Sequence, residues 1–181
     1  MGIEIEKKYR LTREQCDLLV HRLRESGATP VREEFEENIL YAGGQLDLSR
    51  QVLRLRRVGN RAVLTYKERF TSESSIKRHR EDETGVEDGQ GLADILDALG
   101  YKPTLVYEKR RATWRLKGAE VVVDELPFGL FVEIEGEEDT ITEVEQSLAL
   151  TEEEAEPATY PDLARQHGKK RGDLIEARFI S

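Results

Sequence analysis

Pairs of like charges alternate with apolar residues in one segment after another of this 181-residue chain. Near the start, Glu4 and Glu6 flank an isoleucine, and further along Arg54 and Arg56 flank a leucine. A period of two is typical of β-strands, because successive side chains of a strand point to opposite faces. The pattern therefore predicts strands with one apolar and one charged face, and the fold must provide a suitable environment for both.

The alternation, interrupted by turn residues, predicts seven or eight strands. They lie at about residues 3–9, 36–42, 51–58, 61–68, 75–84, 104–116, 119–125 and 130–136. Strands that mostly follow one another through hairpins, with few helices between them, favour an antiparallel barrel with helices packed outside. No repeat or linker-like stretch divides the sequence, so we predict a single domain over residues 1–181.

Helical patterns separate and follow these strands. Thr12 and Gln15 form a capping-box pattern at the start of the first helix, which a glycine ends. A second helix is predicted at 91–99, acid-rich helical sequence at 140–155, and a last short helix at 161–167. The residues of the second helix that are expected to face inward are Leu92, Ile95, Leu96 and Leu99.

The charged strand faces have two alternative environments. In most half-buried strands the charged face lies in solvent, which here would give a protein-binding barrel with outward charges. Adjacent like charges, however, destabilise a sheet unless a counter-charge neutralises them, and E-x-E recurs on three predicted strands. We therefore expect the charges to line the lumen. The acids are Glu4, Glu6, Glu81, Glu83, Asp124, Glu133 and Glu135, and the bases are Lys8, Arg54, Arg56, Lys67, Lys109 and Arg111.

Two opposed sets of charges in one cavity indicate the ligands that it would bind. Clustered carboxylates without Cys or His suit hard cations such as Mg²⁺ or Mn²⁺. Arginine and lysine side chains suit phosphate oxygens, and a metal with a basic clamp is the apparatus of phosphoryl transfer. The net charge of −9 is compatible with a polyanionic ligand if the bases are concentrated in the cavity and cations neutralise part of the acids.

Eight short motifs follow one another along nearly the whole chain. They are E-x-E-x-K at 4–8, L-R-L-R at 53–56, L-T-Y-K at 64–67, E-x-E at 81–83, E-K-R-R at 108–111, V-D-E-L at 123–126, F-V-E-I-E-G at 131–136 and T-Y-P-D-L at 159–163. This set resembles the CYTH domain, or triphosphate tunnel metalloenzyme superfamily. The resemblance implies an α+β fold with an eight-stranded antiparallel closed β-barrel, which binds a triphosphate along its axis with Mg²⁺ or Mn²⁺ as cofactor.

The resemblance also implies roles for individual residues. The phosphate-binding residues would be Lys8, Arg54, Arg56, Lys67, Lys109 and Arg111. The catalytic candidates among them are Lys8, Lys67, Lys109 and Arg111. The metal-binding candidates are Glu4, Glu6, Glu81, Glu83, Asp124, Glu133 and Glu135, and the motifs do not divide these acids between metal ligands and supporting groups.

The attacking group is left open by these motifs. Attack by water would make the protein a triphosphatase acting on inorganic triphosphate, thiamine triphosphate or a nucleoside triphosphate. Attack by the ribose 3′-hydroxyl of ATP would make it a class IV adenylate cyclase, which the L-G-Y-K-P stretch at 99–103 resembles. Cyclases tend, however, to have Gly-Pro where Glu68 and Arg69 stand, and G-L-G where residues 127–129 stand. We favour the triphosphatase; a non-catalytic polyphosphate- or nucleotide-binding module is a third alternative.

Composition and segment character limit the setting of the protein. The chain has one cysteine, Cys16, so it has no internal disulfide, and it has neither a signal peptide pattern nor an apolar run of about 18 residues. We therefore expect a cytoplasmic protein that does not bind membranes. No basic stripe with interleaved aromatics is present, so nucleic acid is not an expected partner. The oligomeric state is left open, a homodimer included.

Several chemically interesting residues are better explained by packing or solvation. Cys16 lies on the apolar face of the first helix, and Trp114 is out of phase with the charged residues of its strand. We therefore expect Trp114 outside the barrel, beneath a helix. Lys169–Arg171 is expected to form a solvated turn. His79 is in phase with Glu81 and is the histidine with the best claim to a chemical role.

Overall fold

Eight antiparallel strands close into a β-barrel. The computed structural model describes residues 2–70 and 76–180. The strands are β1 (Gly2–Leu11), β2 (Thr29–Ala42), β3 (Gln51–Val58), β4 (Arg61–Arg69), β5 (Lys77–Val86), β6 (Lys102–Leu116), β7 (Ala119–Leu126) and β8 (Gly129–Glu135). Their order is β2-β3-β4-β5-β1-β8-β7-β6, and pairing of β2 with β6 closes the sheet. The predicted α+β class and the eight-stranded antiparallel closed barrel are confirmed.

The prediction for β2 was wrong at its start. The strand begins at Thr29 rather than at 36 and pairs with β6 over its length. Adjacent acids between 33 and 37 hide the alternation in the sequence. In the barrel two of these acids lie opposite bases of β6 in the strand register, Glu34 opposite Arg111 and Glu36 opposite Lys109. Cross-strand charge pairs of this kind stabilise a strand that the local sequence does not specify. The start predicted for β5, residue 75, lies outside the described residues.

Four α-helices are present in the described ranges: α1 (Arg13–Glu25), α2 (Gly89–Ala98), α3 (Glu138–Leu148) and α4 (Tyr160–His167). The capping box is confirmed, since the Gln15 N–H donates to the Thr12 hydroxyl at 3.2 Å and the Thr12 N–H donates to the Gln15 side-chain carbonyl at 2.7 Å. Helix α3 ends earlier than predicted, because Ala149 adopts a left-handed conformation with φ of 51°. No helix within these ranges is both long and apolar enough to cross a bilayer.

The main apolar core lies between the barrel wall and the helices. In β8, Val132 and Ile134 are fully buried on the outer face, which places their neighbours Glu133 and Glu135 on the inner face. Helices α1 and α3 cover this outer face with Leu19, Leu23, Ile141, Val144 and Leu148. Trp114 packs in the same cluster, as predicted, and so does Cys16. The barrel therefore keeps its apolar contacts outside and leaves its interior to charged side chains.

Helix α2 buries fewer residues than its periodicity predicts. Leu96 is buried against Leu55 and Ala62 of the barrel, but Ile95 is 57% and Leu99 67% exposed. The prediction that Ile95 and Leu99 face inward was therefore wrong. The helix packs on the outer surface of the barrel beside β3 and β4, and only one narrow side of it is buried.

The C-terminal residues add two strands that the sequence did not suggest. β9 (Lys169–Arg171) forms a hairpin with β10 (Leu174–Ala177), and β10 pairs in parallel with β6. The predicted solvated turn at 169–171 is thus a strand, although its side chains are exposed as expected. The hairpin extends the sheet beyond β7 along the same edge of β6.

The packing predicts unequal effects for two leucines of α1. Leu23 is fully buried beneath the helix, whereas Leu18 is 46% exposed. We expect Leu23→Ala to lower the free energy of unfolding by about 2–5 kcal/mol, because a buried cavity adds to the lost transfer energy. Leu18→Ala should lower it by less than about 1 kcal/mol. Urea unfolding followed by circular dichroism measures both, and equal losses would contradict the position of the core.

Candidate functional site

The barrel encloses a charged cavity of about 480 Å³. Ten Lys or Arg and eight Asp or Glu residues line it, together with His79. Twelve of the thirteen residues predicted for the lumen are among them. They are Glu4, Glu6, Lys8, Arg54, Arg56, Lys67, Glu81, Glu83, Lys109, Arg111, Glu133 and Glu135. The structure therefore brings together predicted residues from six strands, because the alternation on each strand is in phase with the barrel interior.

The acids concentrate on one part of the wall, which we call the acidic wall: Glu4, Glu6, Glu81, Glu83, Glu133 and Glu135. The strand register sets Glu6 beside Glu135 and Lys8 beside Glu133. Lys67 bridges two of the acids, with its Nζ 3.1 Å from Glu4 Oε2 and also paired with Glu81. His79 Nε2 lies 3.1 Å from Glu4 Oε2.

The acidic wall suits a divalent cation. Ligand atoms of Glu4, His79 and Glu81 all lie within 4.8 Å of one another. Burial raises the pKa of Glu135 to about 7, with the Glu4 carboxylate adding to the effect. Burial opposes ionisation of Glu4 too, but hydrogen bonds and charge from His79 and Lys67 lower its pKa to about 2. One carboxylate thus lacks a sufficient counter-charge, as expected of a site completed by a metal ion.

Five lining bases form what we call the basic wall; the first lies on β1 beside the acids and the others on β3 and β6. They are Lys8, Arg54, Arg56, Lys109 and Arg111. Burial lowers the pKa of Lys8 and of Lys109 to about 8, and the Arg111 guanidinium contributes at Lys109. Arg54 Nε is buried without a hydrogen-bond partner in the described part of the chain. Desolvated cationic side chains that line a cavity are suited to bind an anion.

Asp124 is the one predicted residue that does not line the cavity. It is fully buried behind Arg111, which donates from Nε to Oδ1 at 2.8 Å and from Nη2 to Oδ2 at 2.5 Å. The Tyr160 hydroxyl donates to Oδ2 at 2.8 Å, and Lys109 Nζ lies 3.5 Å away. With its oxygens taken by these groups, Asp124 holds two bases in place, and a role as metal ligand stays an untested prediction.

Glu36 is a second acid behind the basic wall, and the sequence did not single it out. Its side chain is 1% exposed, and Oε2 lies 3.3 Å from both Lys109 Nζ and Arg56 Nε. Asn38 contacts the same carboxylate at 3.3 Å and accepts from Arg56 Nε at 3.2 Å. The alternation of Glu36 with Asn38 was a usable signal, but adjacent Glu37 obscured which acid faces inward.

Tyr160 joins the two lysines to this buried layer. Its ring lies under Lys8 Nζ, 4.4 Å from the centroid, and under Lys109 Nζ at 5.2 Å. Cation–π contact of this kind lets a partly desolvated ammonium keep its charge. The tyrosine begins α4 after Thr159, whose hydroxyl caps the helix. The sequence contained this signal in the T-Y-P-D-L motif at 159–163, although no role was assigned to its tyrosine.

The lysine pKa values predict how anion binding depends on pH. In metal-free solution, affinity for tripolyphosphate should fall as the pH rises past about 8, because free Lys8 and Lys109 then lose their protons. In Glu36→Gln the fall should begin at lower pH, since the amide no longer raises the pKa of Lys109. Calorimetric titration should show roughly tenfold weaker binding than wild type at pH 8.

The matched control is Glu37→Gln, on the same strand. Glu37 pairs with Arg57 and Arg178 outside the cavity, so its substitution should leave the pH dependence unchanged. Titration of the ligand itself is common to all three proteins and cancels in the comparison. An unshifted profile for Glu36→Gln would show that Glu36 does not govern the charge of the basic wall.

Known proteins resemble this chain in sequence and in fold. A Methanocaldococcus jannaschii protein named provisionally as an adenylate cyclase, MJ0240, is 27% identical over 149 residues, which cover 81% of this chain and 83% of that protein. The structure of PH1012 from Pyrococcus horikoshii OT3 superposes with a TM-score of 0.77 and 26% identity, covering 88% of this chain and 98% of that one.

A plant protein shares the fold at lower identity. HpAC1 from Hippeastrum, described as having a dominant triphosphatase activity, has a TM-score of 0.70 and 19% identity, and the match covers 97% of this chain and 100% of that one. The model of the CYTH domain matches residues 2–165. Because that match spans most of the sequence, this chain belongs to the CYTH family, whose enzymes are metal-dependent triphosphatases and adenylate cyclases.

Proposed function

We propose that this protein is a divalent-metal-dependent triphosphatase that binds a triphosphate in the barrel cavity. The observation that carries the proposal is the division of one cavity of about 480 Å³ into an acidic and a basic wall. A triphosphate complexed with a cation has the complementary arrangement, since its oxygens need bases and its cation needs carboxylates. Buried ionic groups are otherwise costly, so a ligand that satisfies both walls would be bound strongly.

The basic wall would hold the phosphate oxygens. Arg111 is fixed by Asp124 and also donates to Glu133 at 2.9 Å, so its guanidinium is placed without freedom to turn away. Arg54 lines the cavity, and among the described residues its buried Nε has no hydrogen-bond partner; Lys109 is 1% exposed. Preorganised donors of this kind stabilise charge that develops on a leaving phosphate without having to reorient during the reaction.

The acidic wall would hold the metal. Glu4, His79 and Glu81 have ligand atoms close enough to share one ion, and Glu6 and Glu135 lie beside them. Carboxylates with a single histidine are compatible with Mg²⁺ or Mn²⁺. When bound, such a cation neutralises phosphate charge and polarises the phosphorus–oxygen bonds.

Hydrolysis would then need positioning and proton transfer from the chain. The oxygen of a water molecule attacks a terminal phosphorus, and its proton passes to a carboxylate of the acidic wall. The bond from that phosphorus to the bridging oxygen breaks, and the bond's electron pair stays on the departing diphosphate. Lys109 and Arg111 would lie against that diphosphate and absorb its charge.

An adenylate cyclase is the second candidate, favoured by the provisional name of the Methanocaldococcus jannaschii relative. The same walls would bind ATP, but the ribose 3′-hydroxyl would attack the α-phosphorus and pyrophosphate would leave. Glu68 and Arg69, which stand where cyclases tend to have Gly-Pro, are both half-buried at the end of β4. A triphosphatase does not require the ribose 3′-hydroxyl to be held against the α-phosphorus. We therefore retain the triphosphatase as the proposal.

Product analysis separates the candidates. The protein is incubated with tripolyphosphate, thiamine triphosphate or ATP and with Mg²⁺ or Mn²⁺, and orthophosphate, pyrophosphate and cyclic AMP are measured. The triphosphatase releases orthophosphate and forms no cyclic AMP. Cyclic AMP with pyrophosphate would replace the proposal by the cyclase, and tight binding without any product would indicate a non-catalytic module.

Two lysine substitutions on β6, one inside the cavity and one outside it, test the basic wall. We expect Lys109→Met to lower kcat/KM by roughly 100-fold or more, because a preorganised charge would be lost where phosphate charge develops. Lys102→Met removes the same charge from the exposed start of the strand, where Lys102 pairs with Asp97 outside the cavity. This control should keep kcat/KM within about twofold of wild type. Equal effects would contradict the assigned site.

A further inference from the structure

The charged cavity has an apolar part that the triphosphate does not need. Phe70, Val52, Pro157 and Pro161 all contribute to the lining. Phosphate and metal make no favourable use of an aromatic ring or of proline carbons. This part of the cavity therefore has a surface suited to a group less polar than a triphosphate.

Phe70 lies at the rim because it directly follows the last residue of β4. Its N–H donates to the Arg78 carbonyl at 3.1 Å, which continues the antiparallel pairing of β4 with β5 by one residue. The preceding residue, Arg69, donates to the Thr159 hydroxyl at 3.1 Å. Thr159 lies between the two lining prolines, so Phe70 and the start of α4 belong to the same rim.

The ring of Phe70 is 44% exposed although it belongs to the cavity lining. Phe35 is comparably exposed at 49%, but its ring lies 6.3 Å from that of Phe179 on the outside of the barrel. Within 2–70 and 76–180, no aromatic ring or cation is packed on the face of Phe70. As far as these residues go, the face of Phe70 is not covered by another ring or by a cation.

We propose that Phe70 determines specificity by stacking on an aromatic heterocycle that the triphosphate carries. The inference rests on the proposed binding of triphosphate in the same cavity. An organic group at one end of the chain of phosphates has to lie outside the charged walls, and the rim with Phe70 is an apolar surface next to them. A base or a thiazolium ring both fit this chemistry, because each offers a π-face. The favoured substrate is thus an organic triphosphate rather than the inorganic one.

The test compares three ligands in wild type and Phe70→Ala. Affinities for ATP, thiamine triphosphate and tripolyphosphate are measured by calorimetry in metal-free buffer at pH 7, and kcat/KM is measured with Mg²⁺. We expect Phe70→Ala to weaken binding of a ring-bearing ligand roughly tenfold and that of tripolyphosphate by less than about twofold. Phe70→Trp should restore the binding of the ring-bearing ligand. A loss confined to ATP or to thiamine triphosphate identifies the ring.

The control variant is Phe35→Ala, which removes an equally exposed ring from outside the cavity and should change none of the affinities. Equal losses for all three ligands in Phe70→Ala, or no loss for either ring-bearing ligand, would overturn the assignment of Phe70 while leaving the triphosphatase intact. A wild-type protein that binds none of the three ligands, and hydrolyses none of them with Mg²⁺, would instead overturn the proposed function, and the role of Phe70 with it.

Discussion

The paired hydrogen bonds from Arg111 to Asp124 make a charged barrel interior tolerable. A guanidinium buried without a partner would cost several kcal/mol, and an isolated buried carboxylate would cost as much. In this barrel Asp124, at 0% exposure, fixes Arg111 and lies close to Lys109, while Glu36 neutralises Lys109 and Arg56 from the other side. The cavity therefore presents bases to a ligand because a layer of acids behind them supplies the compensating charge.

Charges inside the barrel decide where the apolar core must lie. The lumen holds ionic groups, so the apolar faces of the strands point outward and would be exposed without the helices. Helices α1 and α3 cover β1, β7 and β8, and Leu23, Ile134 and Ile141 are buried in the layer between them and the barrel. The helices thus stabilise the site indirectly. A barrel with charged residues inside and apolar residues outside can bury its apolar surface only beneath covering elements such as these helices.

The alternation of charged and apolar residues predicted the lining of the lumen well, because it depends only on the residues within each strand. Twelve predicted residues line the cavity since the period of two survives in every strand that contributes them. Glu36 and the first half of β2 were missed because adjacent acids conceal the phase and the pairing with β6 is a long-range effect. Asp124 was predicted in the lumen, but parity gives the direction of a side chain and not its depth behind Arg111. The role of Tyr160 depends on how α4 docks, which no local pattern specifies.

Lys67 shows how the two walls depend on each other. Its ammonium lies between Glu4 and Glu81, so without a ligand this base serves to neutralise the acids. A ligand that brings its own cation would remove that requirement and leave Lys67 free to contact phosphate. The bound cation would then raise the affinity for the polyanion. By thermodynamic linkage, the bound polyanion would raise the affinity for the cation by the same factor. In the proposed function, a protein with a net charge of −9 would bind a strongly anionic molecule because some of the acids that set its net charge would hold the cation that the ligand brings.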